Sequence, residues 1–255
     1  MNDREYDALP GIRRSDLWHM KPTPMHFRWH MDNPEESTPA LIFGQAAHKY
    51  ILEPETFFDE FEVIPKVDRR KKEGKQVIQA FELLNSGKTF VTADEMQTIM
   101  TMREQLLRND DIRELLEDPG NKYEQAFSWV DPKTGQTCKV KADIITDTGL
   151  IIDYKTTSSC AGTEFERSCR KYGYDFQSGM YVEGIDLCTM ERHEFAFIAQ
   201  EKTPPYAARI YYCDSSFIAQ GQRKFHDLLE QYDECTRTGN WYGYDTEELY
   251  EDNYD

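Results

Sequence analysis

Residues 138–157 read CKVKADIITDTGLIIDYKTT, and this stretch decides the fold. Two runs rich in β-branched residues flank the turn at 147–149, a combination that predicts an antiparallel hairpin. Gly149 suits the left-handed position that ends a three-residue hairpin loop. If the hairpin is centred on Thr148, Asp143 faces Asp153 across the hairpin.

This predicted pair of carboxylates points to a metal site. Directly opposed residues of a hairpin have Cβ atoms about 4.5–5.5 Å apart and share a face, so two like charges there need a cation between them. Mg²⁺ prefers such carboxylate ligands, and it would activate water and polarise a phosphodiester. By strand alternation, Lys155 lies on the same face as Asp153, where it would orient that water or stabilise developing negative charge. An ordinary Asp–Lys ion pair at a sheet end is the alternative.

The preceding hairpin extends this face of the sheet. If Asp131 faces Gln136 across its turn, then Glu124 lies opposite Asp143. A slip of one residue would turn Glu124 to the other face. In the favoured register, Glu124 joins the predicted site.

The rest of the chain predicts helices and two further strands around one sheet, an α/β or α+β sandwich. The first forty residues, rich in Pro, Trp and His, predict irregular structure with a short helix. The predicted helices cover about 15–20, 41–52, 75–84, 92–108, 161–171, 175–187 and 215–236. The predicted strands cover about 124–130, 138–145, 150–156, 193–200 and 206–214. Since no linker divides the chain, we expect a single domain over 1–255 with an acidic tail at 241–255.

Charge is distributed unevenly along this acidic chain. The formal net charge is −17, and residues 225–255 hold ten Asp or Glu against one Arg. One segment is basic instead; this basic cluster consists of Lys66, Arg69, Arg70, Lys71, Lys72 and Lys75. The overall acidity excludes sequence-blind DNA binding over the whole surface, because phosphate contacts need Lys and Arg. Any DNA contact must be local, and the basic cluster is either that contact or a solvated loop.

Composition also predicts the compartment. No apolar run approaches the ~20 residues that span a membrane, and the first ten residues lack the apolar core of a signal peptide. The six cysteines show neither a CxxC pair nor zinc-like spacing. We therefore expect a cytoplasmic protein without an iron–sulfur cluster.

The ordered motifs resemble a known family. Asp143 followed by Asp153-Tyr-Lys155 is the PD-(D/E)xK pattern, and QSGMY at 177–181 matches the QxxxY helix motif of the RecB-like branch. Upstream, FGQAAH at 43–48 resembles the histidine-bearing helix of that branch. The set as a whole, from about residue 6 to the last helix, is most similar to RecE-like exonucleases.

The resemblance implies both a fold and an activity. The fold is a restriction-endonuclease-like core, with a mixed central sheet that contains an antiparallel meander and is flanked by helices. The activity is 5′-to-3′ exonuclease action on double-stranded DNA ends, dependent on Mg²⁺, with Mn²⁺ able to substitute. A single-strand annealing protein would be its partner in phage-type recombination. Members of the family form rings, so we expect a cyclic homo-oligomer, most simply a tetramer.

The resemblance also assigns roles to residues. The implied metal ligands are His48, Asp143, Asp153 and the backbone carbonyl of Tyr154, with Lys155 as the catalytic lysine and Glu124 as a further acidic group. Gln177 and Tyr181 would contact DNA or brace the site, and Arg69, Arg70, Lys72 and Lys75 would contact phosphates.

Three other functions stay open at this stage. A RecB-like nuclease of the CRISPR-associated iron–sulfur type would need a C-terminal cysteine cluster, which Cys213 and Cys235 do not form. A RecB-like nuclease with a different substrate polarity would carry the same motifs. A non-catalytic nuclease-fold protein that binds DNA or another protein is the third, although it would have no use for Asp143, Asp153 and Lys155.

Overall fold

A mixed sheet forms the centre of the protein. The computed structural model describes residues 3–34 and 37–246. The six strands of this sheet are β1 (Ile12–Arg13), β4 (Lys122–Val130), β5 (Thr137–Ile145), β6 (Leu150–Thr157), β7 (Glu194–Glu201) and β8 (Ala208–Tyr212). Strands β4, β5 and β6 form the predicted antiparallel meander, β6 pairs with β7 in parallel, and β8 closes the edge antiparallel to β7. The predicted mixed sheet is therefore confirmed.

Turn chemistry sets the register of the meander. Asp131 N–H donates to the Gln136 carbonyl at 2.8 Å, which closes the first turn as predicted. In the second turn, Gly149 has a φ of 84°, the left-handed conformation that glycine adopts at least cost. Ile144 pairs with Ile152, which is the register predicted from a loop centred on residue 148.

Helices cover both faces of the sheet. They are α1 (Asp3–Ala8), α2 (Arg14–Trp18), α3 (Pro24–Asp32), α4 (Pro39–Leu52), α5 (Phe57–Glu60), α6 (Lys72–Leu84), α7 (Ala93–Leu106), α8 (Asp110–Glu117), α9 (Gly162–Tyr172), α10 (Tyr174–Thr189) and α11 (Ser215–Thr238), with a 3₁₀ turn at Pro54–Thr56. The predicted capping box at Thr92 is present: its hydroxyl accepts from the Glu95 N–H, and the Glu95 carboxylate accepts from Thr92. Within the described residues, no helix is long and apolar enough to cross a membrane.

Strand alternation in β6 divides the core into two layers. Leu150, Ile152 and Tyr154 pack with residues of α4, α7 and α8, whereas Ile151 packs on the other face with α10 and α11. This is the alternation predicted for the strand. It places Asp153 on the α10 side, the side from which Gln177 reaches it.

Helices α10 and α11 cross at two glycines. A Cβ built on Gly221 would lie 1.7 Å from the Asp175 carbonyl oxygen, and one built on Gly179 would lie 2.3 Å from the backbone nitrogen of Gln222. Only residues without a side chain allow the two backbones to approach this closely. The crossing fixes the position of α10 and therefore of Gln177.

Three features of the N-terminal half differ from the prediction. Pro24–Asp32 is a helix and Ile12–Arg13 is a strand, so this part is less irregular than predicted; Pro24 at the helix start supplies the favourable φ. A second, smaller sheet consists of two parallel strands, β2 (Phe61–Ile64) and β3 (Thr89–Thr92). It was not predicted because each strand has only four residues. Helix α8 was also not predicted, because with eight residues it is short. The predicted acidic tail at 241–255 lies partly outside the described residues, which end at 246.

Candidate active site

The site lies where β5 and β6 separate. The backbone pairing of the two strands ends at Ile144 and Ile152, and β1 pairs with the start of β5 instead. Beyond the last pair, the Tyr154 N–H donates to Asp143 Oδ2 at 2.9 Å, so a carboxylate takes the place of the ladder carbonyl. We call the place where β5 and β6 separate the fork of the sheet. Asp143 lies at this fork, close to β6.

Glu124 is brought to the same fork by a break in β4. The pairs Tyr123–Ile144 and Gln125–Ala142 leave Glu124 facing Asp143, the register predicted from the first turn. Glu124 has a φ of 51°, a conformation that is rare for residues other than glycine. Strained backbone of this kind is frequent at functional sites.

Helix α4 supplies the third member of the cluster. Thr38 caps the helix through the Leu41 N–H, and its last turns present His48 to the fork. His48 Nε2 lies 2.8 Å from Asp143 Oδ2, and His48 Nδ1 lies 3.8 Å from Glu124 Oε1. One potential ligand atom from each of His48, Glu124 and Asp143 lies within 4.8 Å of the other two.

Asp153 occupies the neighbouring part of the fork on β6. Its side chain is only 3% exposed. Oδ1 accepts a hydrogen bond from the amide of Gln177, while Lys155 Nζ lies 2.6 Å from Oδ2. Lys155 is therefore the charged partner of Oδ2, and no other donor among the described residues reaches this buried oxygen.

The electrostatics of the site reflect this crowding of buried charges. Burial alone would lower the pKa of His48, but the Asp143 carboxylate outweighs it, with help from Glu124, and the pKa rises to about 9. Burial raises the pKa of Asp153 to about 6, with Lys155 opposing and Asp143 adding to the rise. Burial would also raise the pKa of Asp143, yet His48 and Lys155 hold it below its usual value. Burial and then Asp143 raise the pKa of Glu124.

These residues fit a divalent cation. His48, Glu124 and Asp143 each offer a ligand atom within 4.8 Å of the other two, and the charge of Asp143 also acts on the buried Asp153 carboxylate, so a cation among them would relieve the repulsion. Tyr154 also fits its predicted role, because the N–H and C=O of one strand residue point to the same edge, and its N–H points to Asp143. A hydrogen bond outside the group of potential ligands holds Tyr154 in place: its hydroxyl donates to Gln200 Oε1 at 2.7 Å.

The remaining predicted residues divide into two groups. Gln177 is 5% exposed and bonded to Asp153, which makes it a brace for the site, and Tyr181 packs beside it against Phe195. The basic cluster lies away from these contacts, on the loop that follows β2 and the first turn of α6, and all six of its members are exposed. Gly74 holds that loop closed, because a Cβ there would lie 2.1 Å from the Asp68 carbonyl oxygen.

Two charged residues of the site were missed by sequence reasoning. Lys141 Nζ lies 2.5 Å from Glu124 Oε2 and balances that carboxylate. Arg14 is half-buried and donates to the carbonyl oxygens of Tyr172 and Gly173, within electrostatic range of Asp153. Burial lowers the pKa of Arg14, and the charge of Asp153 opposes that change. Strand alternation could have indicated Lys141, because it lies two residues before Asp143 on the same strand face, but nothing in the sequence around Arg14 signals its position.

Comparison with known proteins agrees with this geometry. The family described as a PDDEXK-like domain of unknown function (DUF3799) matches residues 16–248. The chain belongs to this family. The DUF3799 match spans every residue of the fork, from His48 to Gln177, and its PDDEXK-like description confirms the predicted membership of the PD-(D/E)xK superfamily. No curated protein matches the chain.

Solved structures support the same fold. A candidate exonuclease from Eubacterium rectale superimposes with a TM-score of 0.63 at 13% identity, over 97% of this chain and 96% of that chain. At this identity the likeness shows the fold alone. A phage-related exonuclease from Haemophilus somnus 129PT gives a TM-score of 0.34 at 16% identity, over 76% of this chain and 94% of that chain, and carries no weight in the argument.

Proposed function

We propose that this DUF3799 protein is a divalent-metal-dependent exonuclease that hydrolyses phosphodiester bonds at the ends of double-stranded DNA. One observation supports the proposal: ligand atoms of His48, Glu124 and Asp143 lie close together at the fork of the sheet, with the buried ion pair of Asp153 and Lys155 on the adjoining strand. A structural ion pair would need only Asp153 and Lys155. The three further potential ligands next to that pair have a use when a cation binds there.

The residues of the fork divide the chemistry among them. His48, Asp143, Asp153 and the Tyr154 carbonyl would hold the cation, Mg²⁺ or in its place Mn²⁺. When bound, the cation supplies Lewis-acid chemistry that polarises the phosphate and activates water. Glu124 orients the attacking water from the β4 side, and Lys141 keeps Glu124 in position. Lys155 moves its ammonium from Asp153 toward the phosphate, where it stabilises the negative charge of the transition state.

The DNA duplex would approach from the open end of the fork, and its backbone would need a second contact. The basic cluster offers six exposed cations on a loop that Gly74 holds closed. Because the rest of the chain is acidic, this local contact would position the duplex without binding it elsewhere.

The polarity, the assembly and the partner rest on the resemblance to RecE-like exonucleases. We propose digestion from 5′ to 3′, a ring-shaped homo-oligomer with the basic cluster toward its channel, and a single-strand annealing protein that takes up the product strand. A ring solves the retention problem of an acidic nuclease, because DNA inside a closed channel cannot diffuse away. Light scattering should give a mass of several subunits, most simply four; a monomer would overturn the ring while leaving the metal site intact.

End-labelled linear duplex and closed circular DNA of the same sequence test the activity. We expect the wild-type protein to degrade linear DNA in Mg²⁺, to leave circles intact, and to lose all activity in a chelator. Asp143→Asn should be inactive, and Asp147→Asn, which removes the same charge from an exposed position of the same hairpin, should be fully active. Cleavage of circles would identify an endonuclease, and binding without hydrolysis would favour a non-catalytic protein. Placing the label at the 5′ or the 3′ end gives the polarity.

A further inference from the structure

A second group of metal-binding side chains lies at the far end of β4. Asp131 follows the last residue of that strand, Glu183 lies on α10, and His226 lies on α11. One potential ligand atom from each of the three lies within 4.8 Å of the other two. Asp131 lies seven residues beyond Glu124 along the chain, about 23 Å at the rise of a β-strand, so this group is distinct from the fork.

The Asp131 carboxylate has one oxygen without a partner. Oδ1 accepts from the backbone N–H groups of Lys133 and Thr134 and from the Thr134 hydroxyl, and these bonds form the turn. Oδ2 is buried and accepts no hydrogen bond from any described residue, while Asp131 as a whole is only 1% exposed. A buried carboxylate oxygen in this state is destabilising unless a cation or a donor reaches it.

The imidazole of His226 does not remove this problem. His226 Nε2 lies 3.0 Å from Glu183 Oε1 and 3.1 Å from Glu183 Oε2, so it is directed at Glu183. Asp131 Oδ2 remains without a hydrogen bond in that arrangement. A single cation between the three side chains would contact all of them. Ligand atoms of a tetrahedral centre with bonds of about 2.1 Å lie about 3.4 Å apart, close to the His226–Glu183 separation.

We propose that Asp131, Glu183 and His226 bind a transition-metal dication, zinc or a chemically similar ion. One imidazole nitrogen with two carboxylates is a donor set for zinc and its neighbours in the transition series, whereas Ca²⁺ and Mg²⁺ prefer oxygen alone. The His226 side chain is 37% exposed, so the ion reaches the site from solvent and water completes its coordination.

The bound ion would clamp three parts of the fold together. It joins the β4–β5 turn to α10 and α11, next to the place where Trp129 packs against Gly184. Gln177 lies on α10 about 9 Å along the helix from Glu183, given the rise per residue. The ion is therefore structural: it fixes the helix that braces the fork, without contact with the reacting atoms.

Zinc binding to the whole chain tests the proposal. Chelator-stripped protein is titrated with ZnCl₂ by calorimetry, with Asp143→Asn as the background in which the fork is disabled. We expect one equivalent of Zn²⁺ to bind in that background, and His226→Gln to weaken this binding at least a hundredfold. Asp227→Asn, an exposed neighbour that removes one acidic charge, should bind as the background does.

A second variant and a second readout separate binding from folding. Glu183→Gln keeps the shape of the side chain and should weaken Zn²⁺ binding at least tenfold, and circular dichroism shows whether each variant is folded. Zn²⁺ should also raise the melting temperature of the Asp143→Asn protein but not that of its His226→Gln derivative. Unchanged zinc affinity in folded His226→Gln and Glu183→Gln proteins, or no zinc binding once Asp143 is replaced, would overturn the site. Neither result depends on nuclease activity.

Discussion

Replacing Asp153 by asparagine should stabilise the protein while it abolishes activity. The Asp153 carboxylate is 3% exposed, and apart from Lys155 no donor among the described residues reaches its Oδ2. Burial raises its pKa to about 6 despite the nearby Lys155. In the absence of metal, the charged form therefore opposes folding. Asparagine keeps the shape of the side chain and removes that charge.

The size of the effect follows from the shift in pKa. A carboxyl group that titrates near 3.9 in the unfolded chain and at about 6 in the folded chain opposes folding by about 3 kcal/mol at pH 7.5. Because the pKa of Asp153 is raised on folding, the protonated carboxyl group favours the folded state. The penalty is therefore absent below about pH 3.9, and it grows to its full size as the pH rises through 6. At pH 5 about half of the penalty is present. We expect Asp153→Asn to gain about 1–3 kcal/mol at pH 7.5 in a chelator, and about half as much at pH 5.

Urea denaturation in EDTA at the two pH values measures this gain. The melting temperature should rise by about 2–4 °C for each kcal/mol in a chain of this size. Asp147→Asn, which changes an exposed carboxylate of the same hairpin, is the matched control and should change little. Added Mg²⁺ should stabilise the wild type and not Asp153→Asn. A variant that is less stable than the wild type by the same amount at both pH values would refute the reasoning.

Three further perturbations test other parts of the account. Lys155→Ala should lower turnover by about a hundredfold or more while DNA affinity changes little, as single-turnover and binding assays would show; near-normal turnover would reduce Lys155 to an ion-pair residue. Replacing Arg69 and Arg70 by glutamine should lower the log–log salt slope of DNA binding by about one unit for each lost phosphate contact, and an unchanged slope would assign the loop to solvent. Gly221→Ala should destabilise the fold by about 3 kcal/mol or more, because its Cβ would lie 1.7 Å from a carbonyl oxygen, whereas Gly162→Ala, with nothing within 4 Å, should be tolerated.

Local signals made the centre of the fold predictable. The turn at 147–149 and the alternation of β6 fix which residues face each other, and both registers of the meander are confirmed by the backbone pairs. These registers brought Glu124, Asp143 and Asp153 together before any tertiary information was needed. Hairpins are predictable in this way because their contacts are close in sequence.

Contacts between distant segments could not be predicted from local patterns. His48 meets Asp143 across 95 positions of the chain, and only the resemblance to RecE-like exonucleases indicated it. The positive φ of Glu124, the fork itself and the position of Arg14 depend on packing that leaves no periodic pattern. Direct pairing across the hairpin also needed correction: beyond Ile152, Asp143 accepts the Tyr154 N–H through its side chain.

A crystal structure of the wild-type protein in Mn²⁺, with anomalous data, tests the central claim most directly. We expect one strong manganese peak in the fork, about 2.1–2.2 Å from His48 Nε2 and from one carboxylate oxygen each of Asp143 and Asp153. Lys155 should then have left Asp153 Oδ2, because the cation takes that oxygen. A fork without manganese at saturating concentration, or an ion bound without Asp153, would contradict the account.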